Sequence, residues 1–187
     1  MVQVILFILA SVLLMAVSWH SLRVRQSHGF ARFFAWEALA ALILLNVPAW
    51  YRNPFSVLQI ISWLLLGGSI FMVIHGFWLL KQVGKPQKSP KNGPPEFAAN
   101  YAFENTSTLV TIGAYRYIRH PLYSSLLWLG MGAYFKDLSI SATILLVLAI
   151  VFLYFTARIE EKENLVRFGE SYAEYMKHTR MFIPFIF

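Results

Sequence analysis

The chain has 187 residues, 58% of them hydrophobic and 13% charged, with a mean hydropathy of +0.56; soluble domains carry about 25% charged residues, so this is the composition of a membrane protein of one domain's length. Cysteine is absent, which excludes disulfides, thiolate nucleophiles and cysteine metal sites. A net charge of +7 raises nucleic acid as a partner, but its distribution along the chain assigns it to membrane orientation, and no nucleic-acid partner is expected.

Five apolar segments follow one another at 2–19, 33–50, 57–80, 122–135 and 139–156. A helix rises about 1.5 Å per residue, so about 20 residues cross a ~30 Å hydrocarbon core. No positive residue precedes the first segment, so it reads as a retained helix and not a signal peptide, although Ala16–Ser18 mimics a cleavage site. The third is long enough to span with tilt. The fourth is short but runs back into Arg119 and His120, and with the fifth it forms a tight hairpin whose ends return to one face. The predicted fold is all-α and integral to the membrane: five transmembrane helices, the last two a hairpin, plus a cytoplasmic C-terminal amphipathic helix. It is one membrane domain, 1–187, organised as 1–80, 81–121, 122–157 and 158–187.

Lysine and arginine decide the orientation. With five spans, 14 of the 16 fall in the loops 20–32 and 81–121 and in the tail after 157, leaving Arg52 and Lys136 on the other face. Cytoplasmic loops are the Lys/Arg-rich ones, so the amino terminus lies outside and the carboxyl terminus inside. The loop 81–121 contains Pro86, Pro90, Pro94 and Pro95 and reads as turns. From Arg158 to His178 a helix continues out of the fifth span, with Leu165, Phe168, Tyr172 and Tyr175 along one stripe. The closing "MFIPFIF" reads as an interfacial anchor.

The chemistry concentrates at "YRYIRHPLYSS", residues 115–125. Proline is favoured at the first helical position, so Pro121 opens the fourth span and aims unpaired backbone donors at the cytoplasmic boundary. Arg119 and His120 add a charge and a donor, while Tyr115, Tyr117 and Tyr123 supply rings and hydroxyls. The set suits a ligand with a carboxylate and an aromatic ring; interfacial Tyr, Arg and Pro are also common membrane anchors. Glu160, Glu161 and Glu163 follow Arg158 below the fifth span and return beside this element if the hairpin forms. Glu163 and Glu170, taken singly, read as a solvated acidic face.

"GAYRYIRHPLYSS", a short hairpin and then "RIEEKENLVRFGESYAEYMKHTR" resemble the isoprenylcysteine carboxyl methyltransferase family, a broad membrane group that includes phospholipid methyltransferases. The shared features are Arg-His-Pro-x-Tyr, a Glu-Glu pair and Phe-Gly-x-x-Tyr-x-x-Tyr, over about 40% of the chain at 113–180. The family usually has leucine four residues before that phenylalanine, where this chain has Asn164 followed by Leu165, so the pair is Glu160/Glu161 or Glu161/Glu163. The resemblance implies S-adenosylmethionine as methyl donor, bound without a G-x-G-x-x-G motif, and a lipophilic small-molecule or lipid acceptor. It further implies that Arg119, His120, Pro121 and Tyr123 hold the methionine part and that Glu160 and Glu161 face polar groups. Tyr172 or Tyr175 closes over the ligand, Tyr115 completes the pocket, Arg158 orients the acceptor, and Glu161 or a tyrosine takes a proton where an amine or thiol acceptor must lose one.

Elsewhere, Glu37 and His75 lie in spans near the inner face, as candidate functional groups, snorkelling groups or a mutual pair. His20 and His28 are loop residues without ligand spacing, so no metal site is expected. Phe103–Thr106 reads as a turn or as a lid over the cofactor. Two other classes compete: a membrane reductase with a nicotinamide cofactor, normally a longer chain, and a non-catalytic protein holding lipid or a partner through its basic face. The lack of cysteine and the compact size suit a bacterial inner membrane; the oligomeric state and the acceptor stay open.

Overall fold

A computed structural model describes residues 1–87, 101 and 103–184. The lysines and prolines of 88–100 and the last three residues lie outside that set. The described residues are helical apart from turns and two isolated bridges. The elements are α1 (Val2–Val17), α2 (Trp19–Arg23), α3 (His28–Asn46), α4 (Val57–Gln82), α5 (Pro121–Tyr134), α6 (Ile140–Phe168) and α7 (Glu170–His178). Short 3₁₀ turns occupy Val47–Ala49 and Gly113–Arg116.

Among the described residues, three stretches are long and apolar enough to cross a membrane: His28–Ala49, Val57–Gln82 and Ile140–Phe168. With their apolar surfaces they make this an integral membrane protein. α1 and α5 are shorter, at 16 and 14 residues. α6 has 29 residues, about 43 Å at the helical rise, so its polar end overshoots a ~30 Å core. Ser56 caps α4 by accepting from the Gln59 amide at 3.4 Å, and Ser139 caps α6 by accepting from the Ala142 amide at 3.1 Å. Both serines stand where an apolar run begins, as helix starts favour.

α3 packs along α6, and α4 along α5. Both seams use small residues. Ala35, Ala38, Ala142, Ala149 and Ala157 are buried between α3 and α6 and their neighbours, and small side chains let helices approach where lipid removes the hydrophobic drive. In the α4–α5 seam a methyl on Gly132 would sit 2.8 Å from Leu66. Ser62 and Ser69 of α4 donate to the carbonyls of Gly132 and Ser125 at 2.6 and 2.8 Å. Asn46 donates to the carbonyls of Ala133 and Asp137 at 2.9 and 3.0 Å, tying α3 to the end of α5.

Several sequence expectations change. α3 starts at His28, five residues before the predicted 33, because Ser27 and not the first apolar residue begins the helix. The helix leaving the membrane does not run unbroken to His178. Gly169 has φ +57 and ψ −133, a backbone region essentially reserved for glycine, so α6 ends and α7 turns away. Met181 and Phe182 are buried against Tyr123, Leu153 and Ala157, not laid on lipid. The chain returns there because Arg119 and His120 donate backbone N–H to the carbonyls of Arg180 and Met181 at 2.7 and 3.2 Å. Glu37 accepts from the Ser11 hydroxyl of α1 at 2.6 Å, whereas His75 stacks on Phe71, so the two do not pair with each other.

Candidate functional site

A cavity of about 320 Å³ lies at the end of the bundle where α5 begins and α6 meets α7. α3 contributes Arg32 and Trp36, α4 Val73, Phe77 and Leu80, and the segment before α5 contributes Phe103, Glu104, Tyr115, Arg119 and His120. Leu122, Tyr123, Ser125 and Leu126 come from α5, Glu160, Asn164 and Phe168 from α6, and Tyr172 and Tyr175 from α7. The wall is therefore mainly apolar toward α4 and α5, and aromatic with the Glu160 carboxylate toward α6 and α7.

Pro121 is the first residue of α5 and His120 its cap, as the proline rule requires. The His120 ring is buried and stacks on Tyr123, with centroids 5.4 Å apart. Its Nδ1 lies 3.7 Å from Glu160 and its Nε2 3.7 Å from Glu161. Those are ion-pair separations, too long for hydrogen bonds, and Nε2 has no hydrogen-bond partner among the described residues. Nε2 is thus turned toward Glu161, whereas Nδ1 lies on the side of Glu160, which shares the cavity wall with the ring.

Arg119 Nε donates to Glu161 at 2.7 Å, and its Nη1 donates to the carbonyls of Thr179 at 2.5 Å and Met176 at 3.4 Å. Glu161 also accepts from Arg158 at 3.2 Å. Of the site residues named from sequence, Tyr115, Arg119, His120, Tyr123, Glu160, Tyr172 and Tyr175 share the cavity wall; Pro121, Glu161 and Arg158 are not on it. Glu161 lies behind the wall, buried, and Arg158 is half exposed beside it. Glu160 and Glu161 both flank the Arg119–His120 element.

Glu163 is not on a solvated face. It is buried, accepting from the His28 backbone amide at 2.9 Å and lying 2.7 Å from His28 Nδ1. His28 is correspondingly a buried helix-start residue and not a loop residue. Glu104 pairs with Arg32, lies 3.5 Å from His28 Nε2 and accepts from the Tyr101 amide at 2.8 Å. Burial raises a carboxyl pKa, but the Arg32 guanidinium and the His28 ring beside it win and hold Glu104 down at about 2. Arg167 fastens the same segment from α6, donating to the Glu104 carbonyl at 2.5 Å and to Asn105 Oδ1 at 2.7 Å.

The phenols stay protonated. Burial, reinforced by Glu160, pushes Tyr115 and Tyr172 up, and burial raises Tyr175 as well. Tyr175 uses its proton, donating to the Tyr115 carbonyl at 2.6 Å.

Arg32 and Trp36 were absent from the sequence-derived site, and Glu104 entered it only as part of Phe103–Thr106, read as a turn or a lid. The signal for the first two was Ser27, a helix-start residue that moves the run back far enough to place Arg32 inside α3. Nothing in the local pattern joins Glu104 to residues 72 and 76 positions away.

The buried histidine–glutamate arrangement at a proline-opened helix lies within a stretch matched by a family model. Residues 94–167 match the isoprenylcysteine carboxyl methyltransferase (ICMT) family. Two proteins called probable protein-S-isoprenylcysteine O-methyltransferase, from Oryza sativa subsp. indica and subsp. japonica, are each 33% identical to this chain over 86 residues. The alignments cover 45% of this chain and 44% of each relative, so the chain spans under half the length of the curated relatives it matches. No solved structure matches. The ICMT match takes in Glu104, Arg119, His120, Glu160 and Glu161, but not α1 to α4 or α7.

Proposed function

We propose that this protein is an integral membrane methyltransferase that takes S-adenosylmethionine from the cytoplasm and a lipophilic acceptor from the bilayer. The observation that carries the reading is His120, stacked on Tyr123 beside Glu160 on the wall of one cavity, inside the ICMT match. In this reading α1, α3, α4, α5 and α6 are the five spans, the last two a hairpin, with the amino terminus outside and the Lys/Arg-rich face cytoplasmic, as in a bacterial inner membrane. α1 and α5 then need local thinning of the bilayer.

The residues present fit the cofactor: the cavity wall offers the Glu160 carboxylate for cationic groups, the Asn164 amide, and the faces of Phe168, Tyr172 and Tyr175 for a purine. When bound, S-adenosylmethionine supplies an electrophilic methyl group on a sulfonium. His120, Tyr123, Glu160, Tyr172 and Tyr175 would hold it, with Arg119 at the wall and Pro121 setting where α5 begins. Glu161 acts from behind, fixing Arg119 and lying beside His120. Transfer then demands alignment and exclusion of water more than acid–base work.

A carboxylate acceptor arrives ionised and needs no base, and half-exposed Arg158 is placed to orient it. The name of the rice proteins puts that acceptor first in line for testing. A thiol or amine acceptor would hand its proton to Glu160, since Glu161 is turned away and the phenols are held protonated. Equilibrium binding of labelled S-adenosylmethionine should fall in both His120→Ala and Glu160→Ala; unchanged binding in both would remove the pocket. A thermal shift with S-adenosylhomocysteine but not NADPH separates this reading from the reductase, and stabilisation by neither favours a non-catalytic role.

A further inference from the structure

After α7 the chain folds back along the element that opens α5. Thr179 leaves the helix in extended backbone, with φ −126 and ψ 158. Arg180 donates its amide to the Tyr117 carbonyl at 3.0 Å, and Arg119 and His120 donate theirs to the carbonyls of Arg180 and Met181. This is a short parallel pairing, with Ile118 opposite Arg180. Side chains extend it at both ends: Arg119 Nη1 donates to the Thr179 carbonyl, and the Ser124 hydroxyl to the Phe182 carbonyl at 2.8 Å. Such pairing fixes register, because a slip of one residue sends every side chain to the opposite face. Residue 182 is therefore delivered to one place.

That place is beside His120. The Phe182 side chain is buried, and its ring centroid lies 6.2 Å from that of His120 at 51°. Tyr123 lies against the same imidazole at 5.4 Å and 18°. The ring nitrogens stand 3.7 Å from Glu160 and Glu161, beyond hydrogen-bond reach of either carboxylate. The last torsion of a histidine is broad and roughly two-fold, so packing has to choose the ring plane. Phe182 is not on the cavity wall, and it reaches a ligand only through the ring it packs on.

We propose that Phe182 is a positioning residue for the cofactor pocket. Carried in on the parallel pairing, it holds the imidazole on Tyr123 with Nδ1 toward Glu160 and the cavity. The identity of the ligand rests on the methyltransferase reading; the seating of the ring does not. With Phe182 cut back, the imidazole turns about its last torsion and spends part of its time with Nδ1 away from Glu160. The apparent affinity of a ligand falls by the fraction of protein left in the competent orientation. A fraction between about one third and one tenth weakens binding about 3- to 10-fold.

Diethyl pyrocarbonate acylates accessible imidazoles, and peptide mass spectrometry separates the five histidines. His28 is buried like His120 but packs on Glu163, so it reports general loosening, while exposed His178 reports reagent activity. In Phe182→Ala protein, His120 should react about tenfold faster with His28 unchanged, the sign of a local opening. Phe182→Leu keeps apolar bulk, so it should fall between and carries the test if the alanine variant fails to fold. Binding of S-adenosylhomocysteine should weaken about 3- to 10-fold in the alanine variant and less in the leucine variant. Unchanged His120 reactivity in both variants, an equal rise at His28, or undiminished binding despite a freed ring overturns the proposal. Faster reaction at His120 in variants of a protein that binds no S-adenosylhomocysteine sinks the methyltransferase reading alone.

Discussion

Replacing Glu161 with alanine removes the acceptor that two arginines share. Its carboxylate is buried and takes a 2.7 Å bond from Arg119, whose side chain is only 10% exposed, and a 3.2 Å bond from Arg158, which is 51% exposed. Removing one partner of a buried pair costs about 3–5 kcal/mol, because the remaining charge stays buried. Exposed pairs are worth about 0–1 kcal/mol. At about 2–4 °C per kcal/mol for a chain of this size, Glu161→Ala should lower the unfolding midpoint by roughly 6–20 °C and Arg158→Ala by at most about 4 °C. The assay is thermal unfolding in detergent, followed by circular dichroism. Arg119→Leu combined with Glu161→Leu should recover part of the loss, since no charge is then stranded, though the carbonyls of Thr179 and Met176 lose their donor. If Arg158→Ala matched Glu161→Ala, the burial argument would be wrong and the carboxylate's main partner would be the exposed arginine.

Glu104 has its pKa lowered in the fold to about 2 from an ordinary 4.5. A depressed carboxyl stabilises fully above the ordinary value and loses that contribution as pH falls toward the lowered one. The loss, of order 3 kcal/mol, should appear between about pH 4.5 and 2 as lower protection from hydrogen exchange at 103–106, referred to the intrinsic rate at each pH, and Glu104→Gln should abolish the pH difference. Gly169→Ala meets no neighbour within 4 Å but forces φ +57 on a residue with a side chain, at about 1–3 kcal/mol; weaker S-adenosylhomocysteine binding in calorimetry should accompany it, because α7 carries Tyr172 and Tyr175. Asn46→Ala strips the donor from two carbonyls at the other end of the bundle, so it should cost about 1–3 kcal/mol in thermal unfolding while leaving ligand affinity unchanged.

Membrane class, the positions of the long apolar helices and the Arg119–His120–Pro121 helix start were legible in the sequence, because each is written locally. Apolar length gives a span, and proline after a polar pair gives a helix start. Ser27 and Gly169 were legible in principle as well, and overlooking them displaced the start of α3 and carried one helix past its break.

What the sequence determined by itself is therefore the long apolar helices and the polar element at the head of α5. Only the tertiary structure decided which charges share a space. It turned Glu160 into the cavity and Glu161 behind it, buried Glu163 on His28, brought Arg32 to Glu104 and folded Met181 and Phe182 under Tyr123. Those choices depend on helix rotation and on which pairs of helices close-pack through alanine and glycine. A single turn of chain does not record contacts made across 40 to 135 positions.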